Sequence, residues 1–172
     1  MFTMKSNLIN CLDLEINEGE VIEVGLTVVD IESRQILKSW SYPVLVRRPI
    51  TEHITRLTGW TDRKLQKSGE SFLKIWNRLL EEHGLGGRLL VVDCNKEFPT
   101  LQGELVSFNN PKRISPEILN VSSLFKIKHR KAGAHLSLEE MLRAEGLEFE
   151  GRQHRAKDDS YNIARLLLEL IK

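Results

Sequence analysis

Leu8-Ile-Asn-Cys-Leu-Asp-Leu-Glu15 is followed, after the polar break Glu18-Gly19-Glu20, by the β-branched run Val21-Ile-Glu-Val-Gly-Leu-Thr-Val-Val29. A third apolar run, Ile36 to Val46, comes after Glu32-Ser33-Arg34. Three β-compatible segments separated by short polar breaks predict an antiparallel meander. The period then changes. Phe72, Ile75, Trp76, Leu79 and Leu80 recur at helical spacing, with Gly84 after His83 as the stop. Arg88 to Val92 reads as a short buried strand. Pro116 is expected to open a short helix towards Leu119, with Asn120 or Ser122 capping the next one through Phe125. Ser137-Leu-Glu-Glu140 has capping-box spacing. Ile163, Leu166, Leu167, Leu170 and Ile171 form the apolar stripe of a last helix. Strands first, then helices around one further strand, give an α/β domain with a mixed sheet covered by helices.

The chain has 172 residues, 41% hydrophobic and 28% charged, so it can bury a core and is not a disordered polymer. No repeat or linker divides it, so residues 1–172 are expected to form one domain. No window approaches the roughly 20 apolar residues of a membrane span. Cys11 and Cys94 sit in apolar stretches without zinc spacing, and the start lacks a signal-peptide pattern; both suggest buried free thiols in the cytoplasm. With 25 Lys+Arg against 24 Asp+Glu, bulk charge offers no reason to expect a polyanion partner.

Certain polar residues do not fit this scaffold. Asp13 and Glu15 stand at i and i+2 in an apolar strand, so the pleat points both to one face. Such a pair calls for a cation or a wet cleft, unless the strand has ended and both face solvent. Asp158 and Asp159 open the last helix, where acids complement the dipole. His154, five positions before Asp159, is the side chain suited to proton transfer near neutrality, or else a surface cap. A third acidic stretch, Val91-Val-Asp-Cys-Asn-Lys-Glu97, runs from a strand into a helix, where open α/β sheets place ligands.

In that order, D-x-E, an acid after a strand, then H-x4-D, the chain resembles the DEDDh branch of the DnaQ-like, ribonuclease H-like 3′→5′ exonucleases. Asp13-Leu14-Glu15 matches the first motif and Ile22-Glu-Val-Gly25 the following strand. Val46-Arg-Arg-Pro49 and Leu57-Thr-Gly59 are similar to the stretch beyond it. His154 to Ala164 looks most like the Eri-1/KapD-like branch, which includes RNA-trimming enzymes. The resemblance implies a ribonuclease H-like domain with a mixed five-stranded sheet. It implies two Mg²⁺ or Mn²⁺ ions on Asp13, Glu15, Glu97 and Asp159, and His154 as general base. The family carries Asp where this chain has Glu97; Asp93 competes for that role. The implied activity is metal-dependent 3′→5′ hydrolysis of single-stranded RNA or DNA, RNA somewhat preferred. The alternative, motivated by Glu97, is a catalytically weakened module that binds nucleic acid or protein. A homodimer or a larger nuclease or polymerase complex is compatible with either.

The resemblance suggests that Leu14 and Ile16 hold the 3′-terminal nucleotide, with Thr58 in the matched Leu57-Thr-Gly59. Trp60 either stacks on a base or packs in the core. Pro111 to Leu136 carries six bases (Lys112, Arg113, Lys126, Lys128, Arg130, Lys131) against Glu117 alone. Lys128 and Arg130 are therefore expected on a phosphate-contacting rim, or on a solvated loop. Setting aside the four proposed metal-binding acids leaves a basic excess, so neutrality does not exclude nucleic acid.

Overall fold

The computed structural model describes residues 7–93, 97–108, 117–133 and 135–172. Cys94, Lys112, Arg113 and Pro116 lie outside these residues.

The meander forms as expected, from β1 (Leu8–Asn17), β2 (Glu20–Asp30) and β3 (Gln35–Pro43). β4 (Leu90–Val92) adds parallel to β1, and β5 (Ile118–Asn120) parallel to β4, giving the five-stranded order β3-β2-β1-β4-β5. The expected helix towards Leu119 is instead this edge strand. Its residues pair in register with Leu90–Val92, so the ladder overrides local helical reading. Asn120 then caps α5 (Val121–Lys128) by accepting from Ser123 N at 2.9 Å.

Both faces of the sheet are covered. Leu12, Leu14, Val24, Leu26 and Val28 pack on one face with Phe72, Ile75, Trp76 and Leu79 of α3 (Phe72–Glu81). Leu101 and Leu105 of α4 (Glu97–Ser107) join that side. Ile9, Cys11, Val29 and Val91 pack on the opposite face against α7 (Ala156–Leu170), supported by α5 and α6 (Leu138–Ala144). Cys11 is fully buried and unbridged, and burial pushes its thiol pKa up. The Ser137–Glu140 capping box is present. No described helix is long and apolar enough to cross a membrane.

Two short helices, α1 (Glu52–Thr58) and α2 (Asp62–Ser68), follow the meander. Thr51 and Thr61 cap their N-termini, and Gly59, at φ +75°, ends α1 in the left-handed conformation that glycine adopts without strain. Ile22, Trp60 and Leu65 make a small core beneath them.

The pleat decides where the acids go. Ile9 and Cys11 face α7, so Asp13 and Glu15, in the same alternation, face it too. Across the ladder, Gly25 pairs with Asp13 and Glu23 with Glu15. Glu23, Gly25 and Thr27 are the β2 positions that face the start of α7, and none carries a large apolar group. A Cβ on Gly25 would lie 1.8 Å from the Ala156 carbonyl oxygen, so only glycine lets the start of α7 come this close. Thr27 and Ser160 share a hydroxyl hydrogen bond of 3.0 Å across the same contact.

Candidate active site

β1 and β4 are parallel, and Asp13, Glu15 and Asp93 lie towards their carboxyl ends, where open α/β sheets place ligands. The first turn of α7 brings Asp159 against Asp13 and Glu15. One carboxylate oxygen from each of the three lies within 4.8 Å of the others. They line a cavity of about 340 Å³ with Leu14, Asp93 and His154.

Such crowding of acids is costly without a cation. Burial first, then Asp159, Glu15, Glu97 and Asp93 hold the Asp13 carboxyl well above the usual range. Burial, with Asp159 and Glu23 nearby, pushes Glu15 up to about 8, while Arg155 opposes the rise. Asp159 is pushed up to about 7, again chiefly by burial, although it accepts hydrogen bonds from the backbone N–H of Arg155 and His154. Asp93 rises to about 6 through burial and Glu97, and Lys126 pulls it back. Asp93 Oδ1 is buried with no hydrogen-bond partner among the described residues. Converging carboxylates that would otherwise hold protons, beside an orphaned oxygen, fit a hard divalent cation.

The His154 segment is built to stay in place. His154 has φ +59°, a left-handed conformation uncommon for a residue with a side chain, and it sits on the cavity. Asp159 holds its backbone from one side, and Asp158 accepts from Arg152 N at 2.9 Å. Arg152 reaches the Leu57 carbonyl at 3.2 Å, and its guanidinium lies 2.6 Å from where a Cβ on Gly59 would stand. The Leu57-Thr-Gly59 stretch thus docks the His154 loop.

Glu23 is the residue that sequence reasoning passed over. It is fully buried and accepts from Trp60 Nε1 at 2.7 Å, Ser41 Oγ at 2.5 Å, Arg155 Nε at 3.3 Å and Ala156 N at 3.3 Å. One carboxylate therefore ties β2, β3, the Trp60 core and the start of α7 together. Its signal was the acid inside an otherwise apolar run, two positions before Gly25.

The expected site residues divide. Asp13, Glu15, Asp159, His154 and Leu14 share the cavity. Glu97, 7% exposed, opens α4, which packs on the opposite sheet face; it is near enough to raise Asp13 but lies outside the three-carboxylate cluster. Ile16 packs against the α3-side core and does not line the cavity. Thr58 is fully buried, its hydroxyl donating to the Ile54 carbonyl and accepting from Trp60 N. Trp60 is core: 8% exposed, its indole N–H given to Glu23 and Arg155 4.6 Å above its ring. It packs in the core and offers no free face for a base to stack on. Lys128 is turned away as well, bonding Glu145 and the Glu169 carbonyl, each at 3.1 Å. Glu169 lies ten residues beyond Asp159, about 15 Å along α7, because the helix rises 1.5 Å per residue. Arg130 lines a hollow that shares no residue with the acidic cavity, together with Ser123, Lys126, Ile127 and Ala132. Among the described residues of this cluster, the base that approaches the acids is Lys126.

The sheet order and the acid-bearing helix packed across it make this a ribonuclease H-like fold. Its structural neighbours are DEDDh-family 3′-exonucleases. The nuclease domain of 3′hExo, a DEDDh family member bound to rAMP, superposes with a TM-score of 0.82 at 20% identity, over 97% of this chain and 92% of that one. A 3′-exonuclease solved in 3′-end-specific recognition of a histone mRNA stem-loop gives 0.84 at 18% identity, covering 96% and 82%. Cell-death related nuclease 4 gives 0.81 at 21% identity, covering 96% and 64%. No protein-family model and no curated protein matches the sequence, so the likeness is one of fold.

Proposed function

We propose that this chain is a divalent-metal-dependent 3′→5′ exonuclease acting on single-stranded nucleic acid, with RNA preferred over DNA. The observation that carries the reading is the convergence of Asp13, Glu15 and Asp159 within 4.8 Å, with His154 on the same cavity.

Asp13, Glu15 and Asp159 are the ligands this chain offers to Mg²⁺ or Mn²⁺, and Glu97 acts from behind Asp13. Held by these carboxylates, two such ions would supply neutralisation of the scissile phosphate and of the charge that develops on its oxygens. The chain's own part is positional. Asp159 holds the backbone of His154 and Arg155, which fixes where the imidazole stands. His154 takes the proton from the attacking water. Leu14, Leu138 and Phe149 give the cavity its apolar wall, against which sugar and base can lie. The excess of acid over base in the cavity makes substrate binding depend on the cation, because a polyanion is otherwise repelled. The cytoplasm is the setting we assign.

A second reading rests on Glu97, which stands outside the carboxylate cluster: the fold as a binding module with little catalysis. The test is shortening of labelled RNA and DNA oligonucleotides in Mg²⁺, in Mn²⁺ and in EDTA. We expect cleavage that EDTA abolishes and Asp13→Asn reduces by at least about a thousandfold, as for loss of a principal catalytic group. Cleavage that appears only in Glu97→Asp would favour the binding module. Cleavage indifferent to Asp13 would overturn both assignments.

A further inference from the structure

A second cavity, of about 450 Å³, adjoins the acidic one and shares Asp93 and Ser137 with it. Its lining is of the opposite character. Lys126 and His135 face it, together with Ser122 and Ser123. Lys126 is half-buried and forms no ion pair within salt-bridge distance among the described residues, yet it lies near enough to Asp93 to favour its charged form. Nor do the Ser122 and Ser123 hydroxyls make any hydrogen bond among the described residues, so these donors are uncommitted. Two neighbouring bases are spent instead on one carboxylate, Lys128 and His129 both on Glu145.

We infer that this cavity is a subsite for the phosphodiester phosphate next to the scissile one, on its 5′ side. The inference rests on the exonuclease reading, which sets the scissile phosphate at Asp13, Glu15 and Asp159. A strand entering from its 3′ end has its next phosphate one nucleotide upstream, and the adjoining space is the cationic cavity. An ammonium, an imidazole and two hydroxyls match the several acceptor oxygens of a phosphate and read no base. The subsite favours substrates with a second phosphate whatever their sequence. Lys126, rather than Lys128, is then the residue that meets this phosphate, because Lys128 is engaged by Glu145 and the Glu169 carbonyl.

The test compares two dinucleotides that differ only in a 5′-terminal phosphate, the one group that would reach the subsite. Release of the nucleoside monophosphate is followed in Mn²⁺. The wild-type chain is expected to cleave the phosphorylated form with a kcat/KM roughly tenfold higher, as for one charge-assisted hydrogen bond. Lys126→Gln and His135→Gln shrink that ratio towards one, and Lys126→Arg preserves it. Equal rates in the wild type, with both dinucleotides cleaved, would overturn the subsite and leave the exonuclease reading standing. Restoration of the unphosphorylated rate by added inorganic phosphate would overturn the assignment to the strand. If neither dinucleotide is cleaved, binding decides. Fluorescence anisotropy of a labelled single-stranded decanucleotide in Ca²⁺ should show the slope of log affinity against log salt falling by about 0.7 in Lys126→Gln. An unchanged slope would overturn the proposal.

Discussion

Gly25→Ala tests how tightly the site depends on the contact between β2 and α7. The added Cβ would lie 1.8 Å from the Ala156 carbonyl oxygen, 2.0 Å from its carbon and 2.5 Å from Lys157 N. Ordinary contact begins at 3.4 Å, so strand and helix must part by about 1.6 Å at this point. All three atoms are backbone, and no side chain can rotate away. Overpacking typically costs 1–3 kcal/mol, and a backbone obstacle at a helix start belongs at the upper end, about 3 kcal/mol. For a chain of this length that lowers Tm by roughly 6–12 °C. The displaced turn is the one that carries Asp159. A shift of that size is a large fraction of the 4.8 Å within which the three carboxylates meet, so Mn²⁺ affinity should fall by about ten- to a hundredfold. Thermal melts and calorimetric Mn²⁺ titrations measure both. The control is Gly103→Ala, whose Cβ would meet nothing within 4 Å inside α4. It should be neutral or stabilising by up to about 1 kcal/mol. A Gly25→Ala protein that melts within 2 °C of wild type (well below the roughly 6 °C expected) and binds Mn²⁺ equally well would refute the reasoning.

Other perturbations follow from the same geometry. Glu23→Ala strips partners from Trp60, Ser41, Arg155 and Ala156 at once and should cost about 3–5 kcal/mol in a denaturant melt, whereas Glu23→Gln should cost less; equal, small losses would contradict the anchoring role. The folded chain holds protons on Asp13, Glu15 (about 8) and Asp159 (about 7) that the unfolded chain releases near their ordinary values. Metal-free stability should therefore be greatest at acidic pH and fall as pH rises through about 7 to 8, at up to about 1.4 kcal/mol per pH unit per group. Mn²⁺ should raise Tm more at pH 8 than at pH 5.5, and a metal-free Tm that stays flat between those values would count against the acid cluster. Asp93→Asn and Glu97→Gln, compared for Mn²⁺ stoichiometry, decide which of the two serves as fourth carboxylate: the one that loses an ion is the ligand.

What could be read from the residues follows the strength of the local signal. The meander was legible because β1 and β2 are long and their breaks polar. α7 was legible because its apolar stripe is long. β5 was not: three residues carry no period, and only pairing with β4 makes Ile118–Asn120 a strand. α1 and α2, each seven residues, were not read as helices, although Thr51, Thr61 and Gly59 stand at their caps. Asp13 and Glu15 were legible because the pleat points both to one face, whereas Asp159 and His154 joined them only through the family resemblance that the order D-x-E … H-x4-D carries. Thr58, Trp60 and Lys128 were misplaced for one shared reason. A polar or aromatic group beside a motif looks available in sequence, while in the fold it is already engaged: Thr58 by Ile54, Trp60 by Glu23 and Lys128 by Glu145. Glu23 shows the converse, a buried acid whose partners come from β3, the Trp60 segment and the start of α7, which no local pattern reveals.

On the proposed function, the three converging carboxylates and His154 cut nucleic acid from its 3′ end. The direct measurement is single-turnover digestion of a single-stranded RNA labelled at its 5′ end, in Mn²⁺, with products resolved nucleotide by nucleotide. The expected result is a descending ladder with release of nucleoside 5′-monophosphates, lost in EDTA and in Asp159→Asn, and blocked by a 3′-terminal phosphorothioate. An intact oligonucleotide, internal cuts, or a ladder that survives Asp159→Asn would contradict it.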